Sequence, residues 1–310
     1  MSRLSDIAAK PTLQQFAQGA AQNAINPVAD FLAPAVDVPV SVGYYKKYTE
    51  KHRFALPNTR RALGGRAVEL GWDAEDQTYN CEPHALDFPI DELEENDSME
   101  AALQEGATMV AEVAGLVHEK AVIDDALAAA GAGTDKTWDS SGTPVDDLDD
   151  AIMAVIKAAK YGSLMGTGVL FGATAWKIFK NHTKVTGKFV VGNQRTGTKL
   201  AVPTLDSVSD LFLAQPEVRT SLMVYDAAAA GVAEDISFLL DSTILVFARR
   251  PNPTRRDPSF MKTFRLAGKW MVPGMYSRDD GRVEVAKFDW SEDVVVTNST
   301  VVQRLNIATS

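Results

Sequence analysis

The sequence predicts an α+β fold, and three features carry that prediction. One is a long stretch of helical period, residues 96–131 (NDSMEAALQEGATMVAEVAGLVHEKAVIDDALAAAG). Another is the C-terminal end, where RVEVAKFDW alternates and VVVTNSTVVQRLNI is β-branched throughout. The third is order, because between them helices and strands follow one another in both sequences rather than in a strict strand–helix repeat.

The chain's bounds are those of an ordinary globular protein. Its 310 residues are enough to bury a large core and to split into two subdomains, with 45% apolar and 23% charged residues. No apolar run approaches the ~18 residues of a membrane-spanning helix, so no membrane association is expected. MSRLSDIAAKPTLQQFAQGAAQ lacks the apolar centre of a secretory signal. Cys81 is the single cysteine, which leaves no internal disulfide and makes a reducing cytoplasm the default compartment. The net charge of −10 argues against a dedicated nucleic-acid binder. Its distribution says more. Residues 1–66 hold nine Lys/Arg against four Asp/Glu, whereas residues 67–160 hold four against twenty-three. Acidic residues solvate helix surfaces and favour helix starts; a basic front and an acidic middle also suit complementarity between copies of one chain.

Residues 1–43 read as an arm. Pro11, Pro27, Pro34 and Pro39 interrupt an Ala/Gln-rich segment, a polar helix fits between Pro11 and Asn26, and ADFLAPAVDVPVSVGYY is extended in character. A segment with few apolar anchors lies across something else, a neighbouring subunit being one candidate. Residues 44–95 read as two long strands joined by a glycine-bearing loop, a projecting hairpin. YYKKYTEKHRF interleaves aromatics with cations, Pro57-Asn58 and Gly64-Gly65 supply turn chemistry, and Val68, Leu70 and Trp72 alternate. Such interleaving suits single-stranded nucleic acid, and it suits docking on protein equally.

The long stretch follows. Asp97 or Asn96 caps it, with Glu100 at capping-box spacing from Asp97. Met99, Leu103, Val110, Val113, Val117 and Leu127 form its apolar stripe, and Gly131 and Gly133 stop it. Unbroken, it spans ~50 Å; Gly106 and Gly115 weaken it by about 1 kcal/mol each relative to alanine. The stripe is too irregular for a coiled coil. A polar loop fills 134–145. A second helix starts at Asp146 or Asp147 and puts Leu148, Ile152, Val155 and Ala159 on one face. Then come a buried strand at 166–171, a short helix with Trp176 and Phe179 inward, and a hairpin over 188–202. A helix capped at Thr204 follows, then a strand in SLMVYDAAAAG, and then a continuous central strand from Phe238 to Phe247. RRPNPTRRDPSFMKTF is a loop with three prolines and four arginines before the closing strands.

No constellation supports catalysis. Cys81, Glu82 and His84 lie together but lack the second ligand pair a metal site needs. Gly192–Lys199 mimics a phosphate-binding loop but ends Gly-Thr-Lys, and no helix follows it at once. The carboxylates of 91–97 are too solvated for acid–base work. No enzyme activity, cofactor or metal is expected. What stands out is the juxtaposition of Lys46, Lys47, Lys51, Arg53, Arg60, Arg61 and Arg66 on the hairpin with Asp91, Glu92, Glu94, Glu95 and Asp97 at the start of the long helix. These are candidate inter-subunit contacts. Exposed pairs contribute ~0–1 kcal/mol each and so register an assembly rather than hold it.

The order of elements resembles one family, the Hong Kong 97-like major capsid proteins of tailed bacteriophages. The stretches that carry the resemblance are DFLAPAVDVPVSVGYYKKYTEKHRF, TRRALGGRAVELGW, the long helix, DDAIMAVIKAAKYG with GVLFGATAWKIFKNH, and VSDLFLAQPEVRTSLMVYDAAAA with STILVFARRPNPTRRDPSFMKTF. The resemblance covers nearly the whole chain and is one of pattern. It implies an N-terminal arm (1–43), an extended loop (44–95), a peripheral domain with its spine helix (96–145), an axial domain (146–243) and returning peripheral strands (244–310). It further implies self-assembly into hexamers and pentamers of an icosahedral shell around double-stranded DNA, without sequence-specific binding. A separate scaffolding protein, a portal and a decoration protein would be partners. The shell would assemble in the host cytoplasm and reside in the virion. An encapsulin-like compartment subunit of the same fold is one alternative, and a soluble oligomeric enzyme with a hairpin-mediated dimer is another.

Overall fold

The computed structural model describes residues 27–48, 58–61, 63–69, 74–91, 99–159, 166–191, 199–200, 203–228, 231–279 and 281–308. The helix expected between Pro11 and Asn26, the cap at Asn96 or Asp97, and Leu70 and Trp72 lie outside these residues.

Two five-stranded sheets organise the molecule. The first is built on β15 (Val283–Val296), which pairs antiparallel with β4 (Glu82–Asp91), β13 (Met261–Leu266) and β14 (Val272–Ser277). Because β4 and β14 both pair with residues 284–289, they flank β15 on opposite edges. β1 (Ala35–Val38) runs parallel to β13 and completes the sheet. The second sheet has the order β5 (Thr134–Thr137), β16 (Val302–Ala308), β12 (Thr243–Arg249), β6 (Gly166–Phe171), β9 (Glu217–Thr220). β12 is central and buried along nearly its whole length, as its continuous apolar run requires. The strands of 243–308 are therefore divided between both sheets: β12 and β16 lie in the sheet that holds β6, and β13 to β15 lie in the first sheet.

The spine is helix α2 (Met99–Ala130); it follows α1 (Pro27–Leu32). Its buried face differs from the expected stripe. Ala107, Val110, Ala111, Ala114, His118, Val122 and Ala126 are buried, while Met109, Val113 and Val117 are exposed. Small alanines win the inner face because they allow close packing; Phe88 of β4 lies where a Cβ on Gly106 would be, 2.5 Å from its ring. The expected weakening glycine is thus a packing site.

The segment 27–38, expected in an arm lying on something else, is part of the body. Phe31 and Leu32 are buried in the main core, with Phe31 edge-on to Phe247 at 5.3 Å, and β1 is a sheet strand. Three further differences have local causes. Residues 134–137 form an edge strand rather than loop, and helix α3 (Pro144–Ala159) starts two residues before Asp146, at a proline suited to a first helical position. The expected strand from Phe238 to Phe247 is broken at 239–242. Helix α4 (Ala173–Asn181) has no side-chain cap, and the N–H groups of Ala173 and Ala175 donate instead to the carbonyls of Leu240 and Asp241. Gly172 permits that approach, since a Cβ there would sit 2.1 Å from the Asp241 carbonyl oxygen. Two other short elements follow expectation, the β7 (Val190–Val191) and β8 (Lys199–Leu200) pair and α6 (Leu205–Ser209), closed by a capping box between Thr204 and Ser207, whereas the helical turn α5 (Thr183–Thr186) was not expected.

Candidate self-association surface

The hairpin is real and its base is anchored. β2 (Val42–Tyr48) and β3 (Ala74–Asn80) pair antiparallel from Val42–Asn80 to Tyr48–Ala74. Period-two alternation turns Tyr45 and Tyr79 inward, where both meet Phe264, with ring centroids 5.6 and 4.7 Å apart. Gly43 lies under Tyr79, where any Cβ would clash. The Asn80 N–H donates to Asp293 Oδ2 at 2.7 Å. On the other face Val42 and Tyr44 are exposed.

The described cations, Lys46, Lys47, Arg60, Arg61 and Arg66, are distributed along this hairpin. Lys46 pairs with Asp76 across the strands at 2.6 Å, and Lys47 stands opposite Glu75. Arg60, Arg61 and Arg66 are exposed between the two strands; Arg61 Nη1 donates to the Gly65 carbonyl at 2.9 Å and folds that segment on itself. Asp91 ends β4 opposite Val283. Lys51, Arg53, Glu92, Glu94, Glu95 and Asp97 lie outside the described residues.

Apolar exposure is what sequence reasoning missed. Leu63, beside the turn at Gly64, is completely exposed. The two-stranded ribbon of β10 (Val224–Asp226) and β11 (Ile236–Phe238) pairs Val224 with Phe238, and both are exposed together with Ile236 and Leu222. Contiguous bare apolar side chains of this kind mark contact surfaces. Composition carries no signal for them, because an apolar ribbon reads as core until folding leaves its side chains bare.

The buried ionisable groups are structural in arrangement. Where α1, the spine, β13 and β15 meet, His118 Nδ1 lies 2.8 Å from Glu292 Oε2, and Trp290 Nε1 donates to Glu292 Oε1 at 3.0 Å. Arg265 donates to Asp30 at 2.7 Å and stacks on Trp270. Burial opposes ionisation of Glu292, yet the His118 contact holds its carboxyl below the usual range. Glu119 differs: burial pushes it up to about 8, against the lowering effect of the Ala29 N–H it accepts at 3.0 Å, with nearby Asp30 adding to the rise. Cys81 is buried, its thiol raised to about 11 chiefly by burial, while Glu82 and His84 are exposed. The described residues hold no group of three or more His, Cys, Asp and Glu arranged to bind a metal ion. Gly192–Gly197 joins β7 to β8, a hairpin setting unlike a phosphate loop, though residues 192–198 themselves lie outside the described set.

No family model matches the sequence, and no curated protein matches it. Solved structures do. The chain is similar to a phage-related protein from Bordetella bronchiseptica RB50, at 16% identity over 96% of both chains and a TM-score of 0.65. It is similar to the mature capsid subunit of bacteriophage PhiM1, at 9% identity over 89% of this chain and 85% of that one, TM-score 0.54. It is also similar to the holo-SrpI encapsulin complex of Synechococcus elongatus, at 11% identity over 91% and 88%, TM-score 0.52. The chain has the Hong Kong 97-like fold of tailed-phage capsid proteins, an α+β architecture with spine helix and extended hairpin. That fold is shared by shells of both kinds, viral capsid and encapsulin.

Proposed function

We propose that this chain is the major capsid protein of a tailed bacteriophage, a structural subunit without catalytic activity. Copies assemble into hexamers and pentamers, and these close into an icosahedral shell around double-stranded DNA. The observation that carries the reading is the likeness of most of the chain to a phage-related protein and to a mature phage capsid subunit. The exposed hairpin, the bare Leu63 and the apolar β10–β11 ribbon support it, since each gains from a neighbouring copy and none serves a monomer. Scaffold, portal and decoration proteins would act on the assembled subunit. Net negative charge suits a container whose lining must release the polymer pumped into it.

A second reading is favoured by the comparable likeness to an encapsulin, which would make the contents protein rather than DNA. The test is to purify large particles from cells carrying the gene in its native neighbourhood, treat them with nuclease, and analyse what remains inside. Protected double-stranded DNA supports the capsid reading. Protected enzyme with no DNA supports the compartment, and a small oligomer with turnover would overturn both.

A further inference from the structure

The loop between β12 and β13, residues 250–260, is built with more care than a connection needs. Lys262, fully buried, reaches back from β13 and donates to the carbonyls of Thr254, at 2.7 Å, and Asp257. The Asp257 carboxylate, also buried, accepts the N–H groups of Thr254 and Ser259 and lies 3.4 Å from the lysine nitrogen. Pro251, Pro253 and Pro258 remove backbone freedom besides. The Lys46 N–H donates to the Arg255 carbonyl at 3.4 Å and ties the loop to the base of the hairpin. On this fixed frame Arg250, Arg255 and Arg256 are exposed, and none of the three makes an ion pair among the described residues.

Elsewhere on the chain carboxylates show the opposite imbalance. Asp146 and Asp150, one turn apart on α3, are exposed and likewise without an ion pair among the described residues. Their neighbour Asp147 is taken by Lys136 and Trp138, and Asp149 by the Leu213 N–H. Asp146 is favoured by the start of the helix, but like charges at that spacing repel, and no cation pairs with either among the described residues. Resting on the shell reading above, we propose that the arginine loop of one copy docks on the Asp146–Asp150 face of a neighbouring copy. Arginines carried on a fixed backbone suit this role, because their planar forks can meet carboxylates with two parallel hydrogen bonds. The alternative occupant, a nucleic-acid backbone, fits the acidic chain less well.

The test compares wild type with three variants of the full chain: R250E/R255E/R256E, D146K/D150K, and the five-fold combination. Assembly is read by sedimentation and electron microscopy, and folding by circular dichroism. Each partial variant is expected to stay folded and lose at least tenfold in assembled fraction. The combination, which restores opposite charges, is expected to recover assembly, and an unfolded variant could not be rescued in this way. Wild-type levels of shell from the arginine variant would overturn the proposal and leave the shell reading intact. So would normal shells that have lost only their nucleic acid, which would assign the loop to that polymer. Absence of any shell from wild type in its native gene neighbourhood would instead sink the shell reading, and this docking with it.

Discussion

Glu119 and Lys262 are two residues whose burial opposes their ordinary charge. Glu119 has a folded pKa of about 8, well above its usual value near 4.5, so the folded state prefers the proton. Its contribution to stability is complete below pH ~4.5 and is lost as pH rises towards 8, at no more than about 1.4 kcal/mol per pH unit for one proton. Glu119→Gln should therefore flatten the decline seen in denaturant melts between pH 5 and 8.5. An unchanged slope would mean that the group titrates normally. Burial lowers the pKa of Lys262, with Asp257 opposing the shift. Lys262→Met leaves two carbonyls and a carboxylate with fewer donors and should cost about 2 kcal/mol, read as a fall in denaturation midpoint. Neither role was legible in the sequence, where both are single charges in mixed runs. Burial of a charge is decided by partners distant in the chain, such as Ala29 for Glu119.

Among elements, the spine helix shows what periodicity can and cannot decide. Its existence and extent were legible from spacing and terminal glycines. Its inward face was not, because alanine is compatible with either side and the branched residues Val113 and Val117 went outward. The strand break at 239–242 was hidden for a related reason: it answers the uncapped start of α4, a contact between distant segments. Gly106 gives the sharpest test. On propensity alone Gly106→Ala should stabilise the helix by up to ~1 kcal/mol. The Phe88 ring contact predicts the reverse, a lower melting temperature in thermal unfolding. The hairpin's pairing was foreseen; the Lys46–Asp76 pair within it was not. Lys46 is satisfied by Asp76 within the hairpin, which leaves Arg60 and Arg61, exposed near the bare Leu63, as the pair most available to another copy. Arg60→Glu with Arg61→Glu should leave the circular dichroism spectrum unchanged while cutting assembly several-fold. Normal shells from that double variant would remove the hairpin tip from the interface.

As a whole molecule the chain pairs a well-buried two-sheet body with a projecting hairpin and an exposed apolar ribbon. Pattern over the full length was enough to suggest the fold, because the order of arm, hairpin, spine and returning strands is itself distinctive. Contact surfaces were not legible, since they depend on which apolar side chains remain bare after folding. The proposed role of those surfaces is to meet copies of the same chain in a closed shell. The most direct measurement is a cryo-electron microscopy reconstruction of particles purified from cells that carry the gene with its native neighbours. Closed icosahedral particles in which each β2–β3 hairpin lies across an adjacent subunit are the expected result. A uniform dimer or small ring, with the hairpin lying on its own subunit and Leu63 still exposed, would contradict it.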